Sequence, residues 1–148
     1  MDSTIVVFTS VHGDMHGSHG VFRKGWPYEE SVRVPLLVSN LPSGANEKRN
    51  GWPVSLVDLY PMTIAWAEGR EWRCIADSAL ISMPTATAIP LQCDRAWRGI
   101  RSARQKLILN ADGSPWLYFD LEKDPFELDN LVGQSSAAPE IDRLRQLL

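Results

Sequence analysis

The chain has 148 residues, of which 44% are hydrophobic, so it is long enough for one ordinary domain with a core and too short for most two-domain enzymes. Its 15 Lys and Arg residues stand against 18 Asp and Glu residues, and the net charge of −3 excludes a large basic surface for nucleic acid or anionic lipid. We therefore expect a small molecule or a protein as the partner, with no nucleic acid and no membrane.

The sequence also bears on the compartment. No apolar run approaches the roughly 18 residues that a membrane span needs, and Met1 to Thr4 carry no basic region of the kind that begins a signal peptide. The two cysteines, Cys74 and Cys93, fit a reducing compartment as well as they fit one disulfide. We therefore expect a soluble, cytoplasmic chain.

Two apolar runs near the N-terminus predict β-strands. Thr4 to Thr9 is a continuous β-branched and aromatic run that ends in a Gly- and His-rich stretch, which is typical of a buried strand in a parallel sheet. A second run of this kind, Val34 to Val38, follows it. Parallel strands need neighbours and covered faces, so we expect two central strands of a parallel sheet whose N-terminal half is missing from this sequence.

A helix is predicted after a loop of turn-forming residues between Ser39 and Pro53. Ser55 can cap this helix and Gly69 can end it. Pro61 lies inside it and predicts either a kink or a helix start, because proline removes one helical hydrogen bond. Apolar residues recur at roughly helical spacing, at Leu56, Leu59, Tyr60, Ile64 and Ala67.

The rest of the chain predicts short strands and a terminal helix. Ala79 to Met83 and Ala88 to Leu91 are apolar runs that Pro84 separates, and each predicts a short strand. Pro139 to Leu148 predicts an amphipathic helix. Three further strands at close spacing predict an antiparallel meander, and they are Trp97 to Ser102, Lys106 to Asn110 and Trp116 to Asp120.

All three histidines, His12, His16 and His19, lie within eight positions directly after the first predicted strand. In open α/β sheets ligands bind at the carboxyl ends of strands, so a site is expected in this loop. A neutral imidazole can bind a divalent metal, and a nearby carboxylate can add an oxygen ligand. The loop lacks the H-E-x-x-H zinc pattern, and the alternative is that these side chains only form hydrogen bonds within a Gly-rich turn.

Three cations, Arg23, Lys24 and Arg33, lie between this loop and the second strand. A lysine or arginine beside a metal can hold and polarise a tetrahedral oxyanion. The alternative is a solvated turn in which Glu29 or Glu30 pairs with Arg33. The spacing of these residues leaves both interpretations open.

Short motifs in a fixed order extend over nearly the whole chain, with 70–95 the least distinctive range. They are Thr4 to Asp14, Gly17 to Gly20, Arg23-Lys24, Pro27 to Leu36, Val54 to Pro61, Trp97 to Arg101, Leu117 to Pro125 and Asn130-Leu131. In this order they closely resemble the C-terminal portion of the sulfatase family, within the alkaline-phosphatase superfamily.

The resemblance implies an α/β fold with two parts. Residues 1–69 would be the end of the α/β catalytic domain, with the C-terminal strands of a partial alkaline-phosphatase-like parallel sheet. Residues 70–148 would be a small α+β subdomain with an antiparallel sheet and a terminal helix. The implied function is a sulfuric ester hydrolase acting on a small-molecule sulfate ester, and phosphodiesters or phosphonate monoesters are the alternative substrate class.

Two residues match functional positions of the family. Sulfatases hold calcium or a similar divalent ion in part with an Asp-His or Asp-Asn dipeptide at the end of this strand. His12 matches the second member of the dipeptide, but Val11 stands in the position of the Asp. The loss of an anionic oxygen ligand should weaken metal binding by this chain. Lys24 matches the family lysine that contacts the oxygens of the sulfate ester.

The nucleophile of the family has no match in this chain. It is a formylglycine made within a Cys/Ser-x-Pro-x-Arg motif, and neither Cys74 nor Cys93 begins that pattern. The stretch from Ser82 to Ala86 begins correctly but ends in Ala where Arg is required, and it lies downstream of His12, so we interpret it as coincidence.

The paired early aspartates of the metal site are absent as well, so we expect an incomplete chain that is inactive by itself. The alternative is a non-catalytic remnant that binds a partner. Such a module could pair its exposed sheet edge with an upstream polypeptide, including a missing N-terminal half.

Overall fold

Two antiparallel sheets and three short α-helices form the described part of the chain, which covers residues 4–41, 51–72, 77–86 and 88–148 of the computed structural model. The strands are β1 Val6–Thr9, β2 Leu36–Ser39, β3 Ser78–Met83, β4 Trp97–Ser102, β5 Gln105–Asn110 and β6 Pro115–Asp120. The helices are α1 Glu29–Val32, α2 Leu59–Ala67 and α3 Ala138–Arg145. This mixed α/β architecture, with an antiparallel sheet and a terminal helix in the second half, confirms the predicted fold class.

The first two strands pair antiparallel, with Val6 opposite Ser39 and Thr9 opposite Leu36. The prediction of parallel neighbours was therefore wrong for this pair. A parallel pair needs a crossover connection, usually a helix long enough to return the chain along the sheet. The connection here holds only the one-turn helices Ser18–Gly20 and Glu29–Val32, so the chain turns back beside β1. A continuous apolar run predicts a strand but carries no information about its direction.

Helix α2 follows a short 3₁₀ turn, Leu56–Asp58, and confirms the predicted helix. Ser55 caps it, and its backbone N–H donates to Asp58 Oδ2 at 3.1 Å in a capping box. Pro61 lies in the first turn of α2, where a missing N–H is tolerated, so it marks a helix start and not a kink. Gly69 ends this region with a φ of 70°.

The second sheet has the order β3-β4-β5-β6 with every neighbouring pair antiparallel, which confirms the predicted meander. Strand β3 joins it as an edge strand and confirms the prediction over Ala79 to Met83. The predicted strand over Ala88 to Leu91 was wrong. The segment contains a turn in which Leu91 has a φ of 67°, and Pro90 has no N–H to donate to a strand neighbour.

Each face of the second sheet has its own hydrophobic cluster. On one face, Ile141 and Leu144 of α3 pack against strand residues such as Leu107, which confirms the amphipathic terminal helix. On the other face, the segment from Trp26 to Val32 packs against Ile108 and Phe119. Successive residues of a strand point to opposite faces, and the middle of β5 and of β6 is buried without interruption because both faces of the sheet are covered. The division into domains at residues 69 and 70 stays a prediction.

The two-stranded sheet leaves apolar side chains in solvent on both of its faces. Phe8 is 61% exposed and its cross-strand partner Leu37 is 64% exposed, while Val7 on the opposite face is 40% exposed. Large exposed apolar patches mark interaction surfaces more often than free surface.

Two further findings concern the cysteines and the helices. Cys93 is a free, buried thiol, and Cys74 lies outside the described residues. Among the helices of the described ranges, none has the length and apolar character that crossing a membrane requires.

A buried ion cluster joins the N-terminal segment to the second sheet. Lys106 of β5 is fully buried, and its Nζ lies 2.8 Å from Glu29 Oε1 and 2.6 Å from Glu127 Oε1. The same ammonium donates to the carbonyl of Pro27 at 3.0 Å, and Glu29 also accepts from Arg101 Nη2 at 3.0 Å. A cation buried at this depth requires such partners, because an unpaired buried charge is strongly destabilising.

The two carboxylates of the cluster respond differently to the shared ammonium. Burial raises the pKa of Glu127, and the charge of Lys106 only partly opposes this. Burial also acts to raise the pKa of Glu29, but Lys106 and Arg101 together outweigh it and the pKa is lowered. Glu29 is therefore the more firmly ionised partner of Lys106.

Replacing Lys106 by methionine should leave two buried carboxylates without their cation. We expect Lys106→Met to lower the free energy of unfolding by about 3–5 kcal/mol, measured by urea denaturation at neutral pH. The control is Lys123→Met, since Lys123 is 86% exposed in its ion pair with Asp120, and it should change the free energy of unfolding far less than Lys106→Met does. An equal loss of unfolding free energy in the two variants would show that the buried cluster stabilises the fold no more than a surface ion pair does.

Candidate functional site

The loop after β1 folds against the segment that leads into α1. The N–H of Gly13 donates to the carbonyl of Ser31 at 2.8 Å, and the N–H of Met15 donates to the carbonyl of Arg23 at 2.9 Å. A Cβ atom at position 13 would lie 1.9 Å from the carbonyl oxygen of Glu30, so this close approach requires glycine. The backbone thus brings the His-rich loop and the cationic segment together.

Two of the predicted site residues are in contact. Lys24 Nζ lies 2.8 Å from His12 Nε2, and His12 Nδ1 lies 2.8 Å from the carbonyl oxygen of Gly13. A carbonyl can only accept, so the proton of the neutral imidazole is assigned to Nδ1, and Nε2 accepts from the Lys24 ammonium. Both side chains are exposed to solvent. The structure therefore forms a lysine–histidine pair, whose chemical role stays a prediction.

The other two histidines have different surroundings. His16 is exposed, with Nδ1 3.6 Å from Asp14 Oδ1, and its backbone N–H donates to the same oxygen at 3.1 Å. His19 is largely buried and stacks on Tyr28 with 3.9 Å between ring centroids. For these two residues the contacts agree with hydrogen bonding and packing within a turn.

His19 and Tyr28 belong to a packed group that includes acidic residues. Nε2 of His19 lies 3.8 Å from Glu30 Oε1, and the hydroxyl of Ser18 donates to the same carboxylate. Burial raises the pKa of Tyr28, and the negative charges of Glu127 and Glu30 raise it further, so Tyr28 stays a neutral phenol. These contacts join the His19 end of the loop to Tyr28 and Glu30.

Of the remaining cations, Arg33 agrees with the solvated-turn alternative. Its Nη1 lies 3.9 Å from Glu29 Oε2 and its side chain is 74% exposed. Glu29 has closer partners in Arg101 and Lys106, so the pair with Arg33 is a minor contact.

A metal ion does not fit the part of the site that is described. Within the described ranges, no group of three or more His, Cys, Asp or Glu side chains could hold one. The side chain of Val11 is 86% exposed and offers no ligand atom, and His12 Nε2 faces the Lys24 ammonium, which would repel a cation. A calcium site in this position would need oxygen ligands from elsewhere.

The nucleophile-like stretch begins on β3, and its Met83 side chain packs close to Gly25. Ser82 is an exposed residue of β3 and stands opposite Arg98 in the second sheet. Cys93 is buried in the hydrophobic cluster beside Trp97, where burial raises the pKa of its thiol. The environment of Cys93 does not favour a reactive nucleophile, since burial disfavours the thiolate.

Sequence reasoning missed the residues that support the site. Ser31, Lys106 and Glu127 were not predicted to contribute, although all three are buried. One signal was present: Lys106 begins the apolar run Lys-Leu-Ile-Leu, and Glu127 lies between the apolar residues Phe126 and Leu128. Their pairing joins positions far apart in sequence, so no local pattern could reveal it.

Comparison with known proteins gives a consistent group of relatives, although no protein-family model matches the chain. The chain is 31% identical to an arylsulfatase of Clostridium perfringens over an alignment of 172 positions that covers 100% of the chain and 33% of the relative. It is 31% identical to arylsulfatase K of Danio rerio, covering 97% of the chain and 31% of that protein. The chain thus spans about a third of the length of these curated relatives.

Solved structures share the fold. A 2-O GAG sulfatase superimposes with a TM-score of 0.80 at 20% identity, covering 97% of this chain and 35% of its own. The phosphonate monoester hydrolase of Agrobacterium radiobacter superimposes with a TM-score of 0.74 at 23% identity, covering 99% of this chain and 34% of its own. At these identities the likeness establishes the fold.

Restoring an acidic residue at position 11 tests the alignment of His12 with the metal dipeptide. In a complete homologous chain, which would supply the other oxygen ligands, we expect Val11→Asp to raise the affinity for Ca²⁺ about tenfold, because it adds a hard oxygen ligand beside His12. Isothermal titration calorimetry with CaCl₂ measures the change. Val57→Asp is the matched control, since Val57 is also an exposed valine, at 78%, and lies outside this loop. Equal gains in both variants, or none in Val11→Asp, would count against the alignment.

Proposed function

We propose that this chain, a homologue of the C-terminal portion of sulfatases, provides the lysine–histidine part of a site that hydrolyses sulfate esters. One observation carries the proposal. Lys24 Nζ contacts His12 Nε2 at 2.8 Å on two loops that fold together, in a chain that is 31% identical along its whole length to an arylsulfatase.

The chemistry of the pair suits an anionic substrate. The Lys24 ammonium can stabilise charge on the oxygens of the transferred sulfuryl group and on the leaving oxygen. His12 supports this role because its neutral ring accepts one N–H of the ammonium and leaves the other two free to donate. Both groups are exposed, so an ester can approach them from solvent.

The remaining parts of the reaction would come from other residues. The chain covers about a third of its relatives, and its 148 residues contain no complete Cys/Ser-x-Pro-x-Arg motif. The nucleophile, and the carboxylates for a divalent ion such as calcium, would lie in the polypeptide that corresponds to the other two thirds. We expect the 148 residues by themselves not to hydrolyse sulfate esters.

The same polypeptide is the proposed partner of the two-stranded sheet. One face of this sheet carries three exposed apolar side chains, because Phe8 stands opposite Leu37 and two residues from Val6. Their exposed fractions are 50% for Val6, 61% for Phe8 and 64% for Leu37. Covering such a face stabilises an assembly by removing apolar surface from water. A non-catalytic module that pairs its sheet edge with a partner would also cover this face, and in that alternative Lys24 would have no catalytic role.

Phosphonate monoesters are the second candidate class of substrate. Like sulfate esters, they present negatively charged oxygens on a tetrahedral centre. Two phosphonate monoester hydrolases share the fold, with TM-scores of 0.74 and 0.76. Sulfate is favoured because the relatives with sequence identity near 30% are named as sulfatases. Rates on an aryl sulfate and an aryl phosphonate monoester, measured on the assembled protein, would separate the two classes.

Sulfate itself serves as the probe for the role of Lys24. We expect sodium sulfate, titrated against the 148-residue chain at constant ionic strength, to shift the NMR amide signals of the Lys24 and His12 loops at about millimolar concentration. Lys24→Ala should abolish the shifts, and the control Lys123→Ala, at another exposed lysine, should retain them. Sulfate shifts that survive Lys24→Ala would contradict the proposed function.

The partner surface is tested by reconstitution. The first two thirds of the Clostridium perfringens arylsulfatase, immobilised through a tag, should retain the 148-residue chain. We expect Phe8→Asp to reduce the retained fraction at least about tenfold, because a charge would be buried in an apolar interface. Leu128→Asp is the matched control at a residue that is 74% exposed outside the two-stranded sheet. Equal retention of both variants would exclude this face as the interface.

A further inference from the structure

A single buried residue holds the two loops that carry His12 and Lys24. Ser31 is 4% exposed and lies in α1. Its carbonyl accepts the N–H of Gly13 at 2.8 Å, and its hydroxyl accepts the N–H of Gly25 at 3.1 Å. Gly13 directly follows His12, and Gly25 directly follows Lys24. The two members of the exposed pair are therefore each one residue away from a hydrogen bond to Ser31.

The backbone around Lys24 is held from several directions. Besides the bond to Ser31, the carbonyl of Gly25 accepts from Trp97 Nε1 at 2.8 Å, and the carbonyl of Arg23 accepts from Met15 N at 2.9 Å. Gly25 has a φ of 87°, which favours glycine and fixes the direction of the turn. The side chain of Lys24 is flexible, but the backbone that carries it is restrained on both sides.

Ser31 is itself held in place by the buried ion cluster. Its N–H donates to the carbonyl of Tyr28 at 2.9 Å within the single turn of α1. At the start of that turn, the N–H of Glu29 donates to Glu127 Oε2 at 2.8 Å, and the Glu29 carboxylate pairs with Lys106 at 2.8 Å. These contacts connect the turn that contains Ser31 to Lys106 of β5 in the second sheet.

We propose that Ser31 is a positioning residue that sets the distance between His12 and Lys24 by accepting the backbone N–H groups of Gly13 and Gly25. The proposal rests on the proposed function, since the pair is useful only if it meets an anion. Prearranged donors bind an anion more strongly than mobile ones, because less conformational entropy is lost on binding.

The variant Ser31→Ala removes the hydroxyl and keeps the backbone carbonyl. The Gly13 bond should survive, while the N–H of Gly25 loses its partner on the Lys24 side. We expect faster hydrogen exchange at the Gly25 amide, a changed ¹⁵N signal at His12 Nε2, and sulfate binding about tenfold weaker than in the unmodified chain. All three readouts come from NMR of the 148-residue chain.

The control for a general loss of stability is Asn130→Ala. Asn130 Oδ1 accepts the N–H of Tyr118 at 3.1 Å and its Nδ2 donates to the carbonyl of Trp116 at 3.1 Å, so its removal weakens the second sheet far along the chain from the two loops. We expect this variant to lower the free energy of unfolding while leaving the His12 signal and the sulfate affinity unchanged.

The outcomes separate this inference from the proposed function. If Lys24→Ala abolishes sulfate binding but Ser31→Ala retains it with an unchanged His12 signal, the positioning role is overturned and the proposed function stands. If sulfate produces no shift that depends on Lys24, the proposed function fails at that measurement, whatever Ser31→Ala does. Loss of sulfate affinity in Asn130→Ala equal to that in Ser31→Ala would also overturn the positioning role.

Discussion

The buried ammonium of Lys106 is the contact on which the arrangement of the described chain depends. It lies between Glu29 of the N-terminal segment and Glu127 of the C-terminal segment, at 2.8 and 2.6 Å. Burying a lysine is costly, and the cost is offset only while both carboxylates and the Pro27 carbonyl stay in place. The cluster therefore restricts α1 to one position on the second sheet.

The candidate site extends from α1, which the ion cluster of Lys106, Glu29 and Glu127 holds in place. Helix α1 presents Ser31 to the loop after β1 and to the turn at Gly25, and those two segments present His12 and Lys24 to solvent. The chain thus changes from a buried, strongly restrained cluster to an exposed pair within a few residues. Such a gradient is typical of a functional side chain that is held by a rigid support and left accessible to its ligand.

The described part of the chain lacks a set of metal ligands and leaves an apolar face uncovered. The side chain of Val11 offers no ligand atom, the described residues hold no cluster able to bind a metal, and the apolar face around Phe8 lies open. Phe8 lies in β1 and Val11 lies in the loop that follows it. The chain covers about a third of the length of its sulfatase relatives.

The sequence by itself determined the elements that have strong local signals, because periodicity and turn residues act over short ranges. These elements are the meander from Trp97 to Asp120, the capped helix after Ser55 and the terminal helix. The order of its motifs also indicated His12 and Lys24 as candidate site residues. Only the tertiary structure decided the antiparallel direction of β2, which an apolar run does not encode, and the contacts of Ser31 and Lys106. Those contacts join residues distant in sequence, so they exist only once the chain has folded.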